Sequence, residues 1–142
     1  MSGLTAPILL DTHTWIWVAG GESAHFRKKT IDQINAAAQE NRLLLAAISL
    51  WEVAMLESKG RIKLAQACGD WLQQAQRKTG VMIAPLDAGI AALSCALPGF
   101  HGDPADRLIV AAAIHHGAIL MTEDDQIVAY ARKGRYRVSR LR

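Results

Sequence analysis

Short runs of apolar residues alternate along the chain with segments in which apolar residues recur at helical spacing. Four runs, at residues 7–11, 43–49, 81–86 and 118–122, have the length and composition of buried strands. A fifth, shorter strand is predicted at 135–138. Strands that are apolar throughout need cover on both faces. The pattern therefore predicts an α/β protein, a three-layer α/β/α sandwich around a mainly parallel sheet of four to five strands.

Helices are predicted between these strands. The clearest helical spacing of apolar residues falls at 31–38 and at 90–97. Asp70 and Asp87 are typical N-caps and predict the starts of two further helices. Ligands of such sheets bind beyond the carboxyl ends of the strands, so the residues that follow each strand are the ones to inspect.

The segment GDPADRLIVAAAIHHG has the start and stop signals of a buried helix. Asp103 is a good N-cap, Pro104 suits the first helical position, and Asp106 falls in the first turn, where a carboxylate favours the helix dipole. Gly117 ends the helix. These signals explain both aspartates as parts of a helix start. Other residues must decide whether the two also have a chemical role.

Length and composition predict a single domain over residues 1–142, long enough for a real core. A hydrophobic content of 51% excludes a disordered chain. Asp11 and His13 interrupt the most hydrophobic N-terminal run, so no membrane span and no secretory signal is predicted. Cys68 and Cys95 are too few for a disulfide framework or a zinc site. A cytoplasmic protein is expected.

The net charge of +3 conceals an asymmetry along the chain. Residues 132–142 hold six of the sixteen basic residues and no acid, whereas the rest carries ten basic and thirteen acidic residues. This basic C-terminal segment suits contact with phosphates. It equally suits a solvated edge strand, because arginine alternates with Tyr136 and Val138 and charge protects an edge. Both interpretations stay open.

Acidic residues follow the predicted strands at one edge of the sheet. Asp11 ends the first strand, Glu52 follows the second, Asp106 starts the buried helix, and Asp124 follows the strand at 118–122. Each has an ordinary explanation, since Asp11 and Asp124 suit N-caps and Ser49 with Glu52 forms a capping box. Helix caps alone do not explain why this edge carries acids in preference to serine, threonine or asparagine.

A cluster of carboxylates at one edge needs compensation. Two carboxylates ~4 Å apart repel each other by about 4 kcal/mol at an effective dielectric constant of 20. Such a cluster persists when a cation neutralises it or when some of the acids stay protonated. Oxygen-only ligands favour Mg²⁺ or Mn²⁺. The chemistry that suits such a site is phosphoryl or phosphodiester hydrolysis, in which the metal activates water.

Three segments at these residues resemble the PIN-domain family and, within it, the VapC-type toxins of bacterial toxin–antitoxin pairs. They are ILLDTHTWIW, ISLWEVAMLESKGRIKL and HGDPADRLIVAAAIHHGAILMTED, and their order makes the resemblance specific. The resemblance implies a PIN-like fold and an Mg²⁺-dependent endoribonuclease, with Mn²⁺ as a possible substitute. It also implies an RNA substrate, a homodimer, and inhibition by a cognate antitoxin whose basic or apolar segment covers the acidic cleft.

The resemblance also implies roles for individual residues. Asp11 and Asp106 match the main metal ligands, while Glu52 and Asp124 match acids that bind metal or hold the attacking water. Asp103 matches an additional aspartate of one subgroup, in which position 105 is often a bulky aromatic residue; here it is Ala105. The residues expected to orient the carboxylates are Thr12, Ser49, Arg107 and Thr122.

Histidines and tryptophans near these acids leave two interpretations open. His13 and His101 are close enough in sequence to contact substrate phosphates, although a structural role is the more common one. The tryptophans serve either the antitoxin contact or the core, and core packing is expected for at least half of them. They are Trp15, Trp17, Trp51 and Trp71.

Two other function classes compete with a nuclease. ILLDTHT resembles the first motif of haloacid-dehalogenase-type phosphatases, but His13 replaces the second aspartate and Glu52 has no role there. The other alternative is a non-catalytic binding module. A receiver domain fits less well, because a single acid follows the first strand, and a PIN-like module that binds RNA or protein fits better. All the matched acids are present, so an active nuclease is preferred.

Overall fold

Five parallel strands form one sheet at the centre of the described part of the protein. The computed structural model describes residues 6–100 and 102–142. The strand order is β3-β2-β1-β4-β5, and every neighbouring pair is parallel. The strands are β1 (Ile8–Leu10), β2 (Leu43–Ala46), β3 (Met82–Ala84), β4 (Ile119–Met121) and β5 (Arg137–Ser139).

In residues 6–100 and 102–142, seven α-helices connect and cover the strands. Each β-strand except the last is followed by at least one helix, as a parallel sheet requires. The helices are α1 (Thr12–Ala19), α2 (Lys28–Gln39), α3 (Ala47–Ser58), α4 (Cys68–Thr79), α5 (Ala88–Cys95), α6 (Pro104–His116) and α7 (Asp125–Ala131), with a short 3-10 helix at Ser23–His25. Within the described ranges, none of these helices has the length and apolar character needed to cross a bilayer.

Two hydrophobic clusters lie on opposite faces of the sheet. Successive side chains of a strand point to opposite faces, so Ile8 and Leu10 join one cluster while Leu9 joins the other. The first cluster packs β1 against α1, α2 and α4, and the second packs it against α5, α6 and α7. The predicted three-layer α/β/α sandwich is therefore confirmed.

Aspartates begin four of the helices, as capping rules predict. Asp11, Asp87, Asp103 and Asp124 are the N-caps of α1, α5, α6 and α7. Each carboxylate accepts a hydrogen bond of 2.8–3.0 Å from the backbone N–H three residues further on. Gly117 ends α6 in the left-handed conformation that glycine allows.

Two predicted helix starts are wrong. The strand predicted at 43–49 ends at Ala46, and α3 begins directly afterwards, so Ser49 and Glu52 lie inside the helix and form no capping box. The apolar residues that open α3 extend the apolar run of β2, which hid the boundary from the sequence. Asp70 is not an N-cap, because α4 already begins at Cys68. An acid in the first turn favours the helix dipole as a cap does, so the two placements give similar sequence signals.

The basic C-terminal segment forms the edge of the sheet and is anchored there. Leu141 is fully buried, its N–H donates to Glu123 Oε2 at 2.6 Å, and its carbonyl accepts from the Arg27 N–H and the Thr30 hydroxyl. Arg140 pairs with Glu123 and with Asp125. The edge-strand interpretation is confirmed for β5. Contact of the remaining exposed basic residues with phosphates stays a prediction.

Candidate active site

An acidic pocket opens beyond the carboxyl ends of the central strands. Strand β1 pairs with β2 on one side and with β4 on the other, so the direction of winding reverses beside it, which is where open α/β sheets bind ligands. The pocket has a volume of about 260 Å³. Its lining residues are Asp11, Thr12, His13, Trp17, Glu52, Asp106, Ile109, Glu123 and Asp124.

Asp11 is the most rigidly held carboxylate of the acidic pocket. It follows β1, and its side chain accepts from the Thr14 N–H at 2.9 Å and from the Thr122 hydroxyl. Its own N–H donates to the Met121 carbonyl of β4. Burial raises the pKa of Asp11, and the hydrogen bonds from Thr122 and Thr14 counteract part of that rise.

Glu52 reaches the acidic pocket from α3 and is held by α1. The Thr12 hydroxyl lies 2.5 Å from Glu52 Oε1 and 2.8 Å from Ser49 Oγ. Because a hydroxyl carries one proton, Thr12 donates to the carboxylate and accepts from Ser49. Burial raises the pKa of Glu52, the Thr12 hydrogen bond lowers it, and the negative charge of Asp103 raises it further.

The pKa of Asp106 is raised by burial and by the other acids of the site. Burial is the largest cause, the negative charges of the neighbouring carboxylates add to it, and together they raise the pKa to about 7. In order of effect, those neighbours are Asp103, Asp124, Glu52 and Asp11. Like charges act at this strength only when the groups lie close together. These acidic residues span more than a hundred positions of the sequence, and the fold therefore brings them close to Asp106.

Asp124 and Asp103 combine capping with a position near the other acids. Thr122 links two carboxylates, since its hydroxyl donates to Asp11 and accepts from the Asp124 N–H at 3.0 Å. Asp103 is exposed and does not line the acidic pocket, although its charge acts on Asp106 more than that of any other acid. Thr12 and Thr122 thus bond directly to carboxylates, and Ser49 bonds to Thr12.

Arg107 is placed differently from the sequence prediction. Its guanidinium donates to three backbone carbonyls, those of Phe100 at 2.9 Å, Gly102 at 3.2 Å and Ser94 at 3.5 Å. Among the described residues, it makes no hydrogen bond to a carboxylate. Arg107 holds the loop between α5 and α6 and orients no acid directly, because its long side chain leaves α6 towards that loop.

Arg107→Lys is expected to lower the free energy of unfolding by about 1–3 kcal/mol. A lysine keeps the charge but cannot reach several carbonyls with one planar group, so buried acceptors lose their partners. Chemical denaturation of the purified variant measures the change. Arg77→Lys, at an exposed position of α4, is the matched control and should change stability little. Equal stability of the two variants would contradict a structural role for Arg107.

The carboxylates of the acidic pocket suit a hard divalent cation. Their donor atoms are all oxygens, and a divalent charge offsets the repulsion that raises the pKa of Asp106. Among the described residues, no three acidic, histidine or cysteine side chains are already gathered around one point where they could hold a metal. The chemistry of these donor atoms therefore fits a hard divalent cation.

The other expected site residues divide between pocket and core. His13 is exposed and lines the acidic pocket, whereas His101 lies outside the described residues. Glu123, which the sequence analysis missed, also lines it; the only signal was its place beside Asp124. Trp15 is fully buried and donates to Thr79, as expected for core packing.

Comparison with known proteins matches residues 8–133 to the PIN domain. The chain is 41% identical over 122 residues to ribonuclease VapC22 of Mycobacterium tuberculosis, which covers 84% of this chain and 88% of that protein. It superposes on DNA-bound VapBC of Salmonella typhimurium with a TM-score of 0.69 at 17% identity, covering 97% of this chain and 100% of that one. It also superposes on VapBC2 of Rickettsia felis, bound to a promoter DNA fragment, with a TM-score of 0.67 at 16% identity. This superposition covers 94% of this chain and 97% of that one.

Proposed function

Because the chain belongs to the PIN-domain family, we propose that it is a metal-dependent endoribonuclease and the toxin of a toxin–antitoxin pair. The observation that carries this proposal is the gathering of four carboxylates, Asp11, Glu52, Asp106 and Asp124, around one pocket. The similarity to a protein named as a ribonuclease supports RNA as the substrate. The acidic pocket is the proposed active site.

Asp11 and Asp106 are the proposed main ligands of Mg²⁺, for which Mn²⁺ can substitute. Glu52 and Asp124 complete the set, either as ligands or by holding and polarising the attacking water, and Asp103 contributes its negative charge or a further oxygen. When bound, the metal would lower the pKa of that water and stabilise the charge that develops on the phosphate.

The protein side chains supply orientation. Thr122 holds Asp11 and the backbone of Asp124 together, while Thr12 fixes one oxygen of Glu52. Because these bonds already restrict the side-chain rotamers, the carboxylates lose less conformational entropy when they bind a cation. A nearby carboxylate that is charged accepts the proton released by the attacking water.

The partners are part of the same proposal. RNA is the substrate, and a cognate antitoxin with a basic or apolar segment covers the acidic pocket. We further propose that residues 1–142 form one domain and that the protein is a homodimer in the cytoplasm. The basic face of an antitoxin suits a pocket whose titratable groups are mostly acidic.

Cleavage of a mixed pool of structured RNA tests the function. Purified protein is incubated with Mg²⁺, with Mn²⁺ and with EDTA, and Asp106→Asn prepared in parallel controls for contaminating nuclease. Metal-dependent cutting that the variant lacks supports the endoribonuclease. The absence of cutting by folded, antitoxin-free protein would favour a non-catalytic module that binds RNA or protein. Hydrolysis of small phosphate esters without RNA cleavage would favour a phosphatase.

Thr12→Val is expected to weaken metal affinity by about 10- to 100-fold, the usual effect of removing a group that orients a ligand. The valine keeps the shape but removes the hydroxyl that donates to Glu52, so the pKa of Glu52 rises further. Calorimetric titration with Mn²⁺ measures the affinity. Thr79→Val, which removes a buried hydroxyl that bonds to no carboxylate and does not line the acidic pocket, is the control. Equal metal affinities of the two variants would contradict this role of Thr12.

A further inference from the structure

Trp17 lies at the rim of the acidic pocket on α1, the helix that Asp11 caps. The indole is half-buried and lines the acidic pocket together with the carboxylates. It also lines an adjoining apolar pocket of about 150 Å³ between α1 and α2. Trp15, two residues earlier, is fully buried in the core. Trp17 packs against the same core cluster as Trp15 but is only partly buried there, and its remaining surface is available to the carboxylate-lined pocket.

Two imidazole rings flank the indole of Trp17. The ring of His25 stacks on it with centroids 3.9 Å apart and an interplanar angle of 4°. His13, one helical turn before Trp17, places its ring centroid 6.0 Å away and also lines the acidic pocket. The stack holds the orientation of the indole, and the same indole borders the acidic pocket.

We propose that Trp17, supported by His25, is the surface on which one nucleobase of the RNA stacks, beside the phosphodiester held at the carboxylates. This inference rests on the proposed ribonuclease function. Trp17 lies six positions after Asp11, about 9 Å along the helix axis, which is a suitable distance for a base attached to a bound phosphate. Every base has a stacking face, so this contact holds single-stranded RNA without selecting one base.

Trp17→Leu is expected to raise the KM for single-stranded RNA by about 10- to 100-fold with little change in kcat. Stacking of one base on an aromatic ring contributes this much affinity, and it is made equally in the ground state and the transition state. Trp17→Phe keeps a ring and should restore most of the affinity. Trp51→Leu removes a tryptophan that is 57% exposed and does not line the acidic pocket, so its KM should match the wild type.

Abasic RNA separates base stacking from a structural role of Trp17. A short RNA with a mapped cleavage site is prepared with one base removed at a time on each side of that site. Wild-type protein should lose affinity for one flanking abasic position, and Trp17→Leu should show no additional loss there. A variant with damaged packing would instead bind every RNA worse and keep the full abasic penalty. Additive losses would therefore overturn the inference.

His25→Ala tests the support of the indole. His25 contacts no substrate in this proposal and acts as a positioning residue, so the variant should show a smaller rise in KM and a reduced abasic penalty at the same position. If the His25→Ala variant lost as much affinity for that abasic RNA as the wild type does, His25 would have no role in positioning the indole. Absence of metal-dependent cleavage by the wild type overturns both the function and this inference. Cleavage with additive losses overturns the inference alone and leaves this surface to a protein partner.

Discussion

Asp106→Asn is expected to reduce RNA cleavage by more than about 100-fold while leaving the fold at least as stable at neutral pH. The carboxylate is a proposed main ligand, and the metal supplies several kcal/mol of transition-state stabilisation that depends on its ligands. Asparagine has nearly the same shape and carries no charge. The repulsion from Asp103 and the other acids therefore disappears in the variant. Cleavage rates and thermal unfolding in EDTA measure the two effects separately.

The pH dependence of the free energy of unfolding provides a second test of the role of Asp106. Its pKa rises from an ordinary value of 3.8 to about 7 on folding, so between these values the folded state binds more protons than the unfolded state. Stability then falls as the pH rises through this window. The wild type should lose stability from pH 4 to pH 7 in EDTA, and Asp106→Asn should lose less. Some slope remains, because burial raises the pKa of Asp11 and Glu52 in the same direction.

Two outcomes would contradict this view of Asp106. A variant that cleaves RNA at the wild-type rate would make the residue a part of the helix start only. A variant that is markedly less stable than the wild type would show that the carboxylate has a structural partner. The cap of α6 is provided by Asp103, whose Oδ1 accepts from the Asp106 N–H at 2.8 Å, so the substitution at position 106 leaves that hydrogen bond in place.

The sequence predicted the sheet and most helix starts because both depend on local signals. Apolar runs and capping aspartates carry their meaning within a few residues, and parallel strands bring their carboxyl ends to one edge without further information. That geometry accounts for Asp11 and Asp124, which follow β1 and β4, whereas Glu52 and Asp106 reach the same pocket from α3 and α6. The family resemblance added the chemistry, which the positions of four carboxylates do not determine by themselves.

Side-chain direction is what the sequence could not supply. Arg107 follows Asp106 directly, yet on a helix successive residues point in different directions, and the guanidinium turns to the loop carbonyls of Phe100 and Gly102. The stack of Trp17 on His25 likewise depends on how the 3-10 helix folds back onto α1. Contacts of this kind, between side chains of separate elements, produce no periodic pattern in the sequence and could not be predicted from it.

Asp11→Ala and Asp11→Asn are both expected to lose cleavage by more than about 100-fold, but only the alanine variant should lose stability. Asparagine caps helices as well as aspartate, so it can still accept from the Thr14 N–H, and its amide can donate to the Thr122 hydroxyl. Alanine leaves the Thr14 N–H buried without a partner, which costs about 1–2 kcal/mol of unfolding free energy. Denaturation and RNA cleavage, measured on the same preparations, separate capping from chemistry.

Asp87→Ala is the matched control for this pair, because Asp87 caps α5 through the same type of bond, 2.9 Å from the Ile90 N–H, and does not line the acidic pocket. It should lose about 1 kcal/mol of stability and keep full cleavage. If Asp11→Asn cleaved RNA normally, Asp11 would be a cap and nothing more. Loss of activity in Asp87→Ala would instead show that helix starts in general limit the reaction. The proposed chemistry requires that charge matters at Asp11 and does not matter at Asp87.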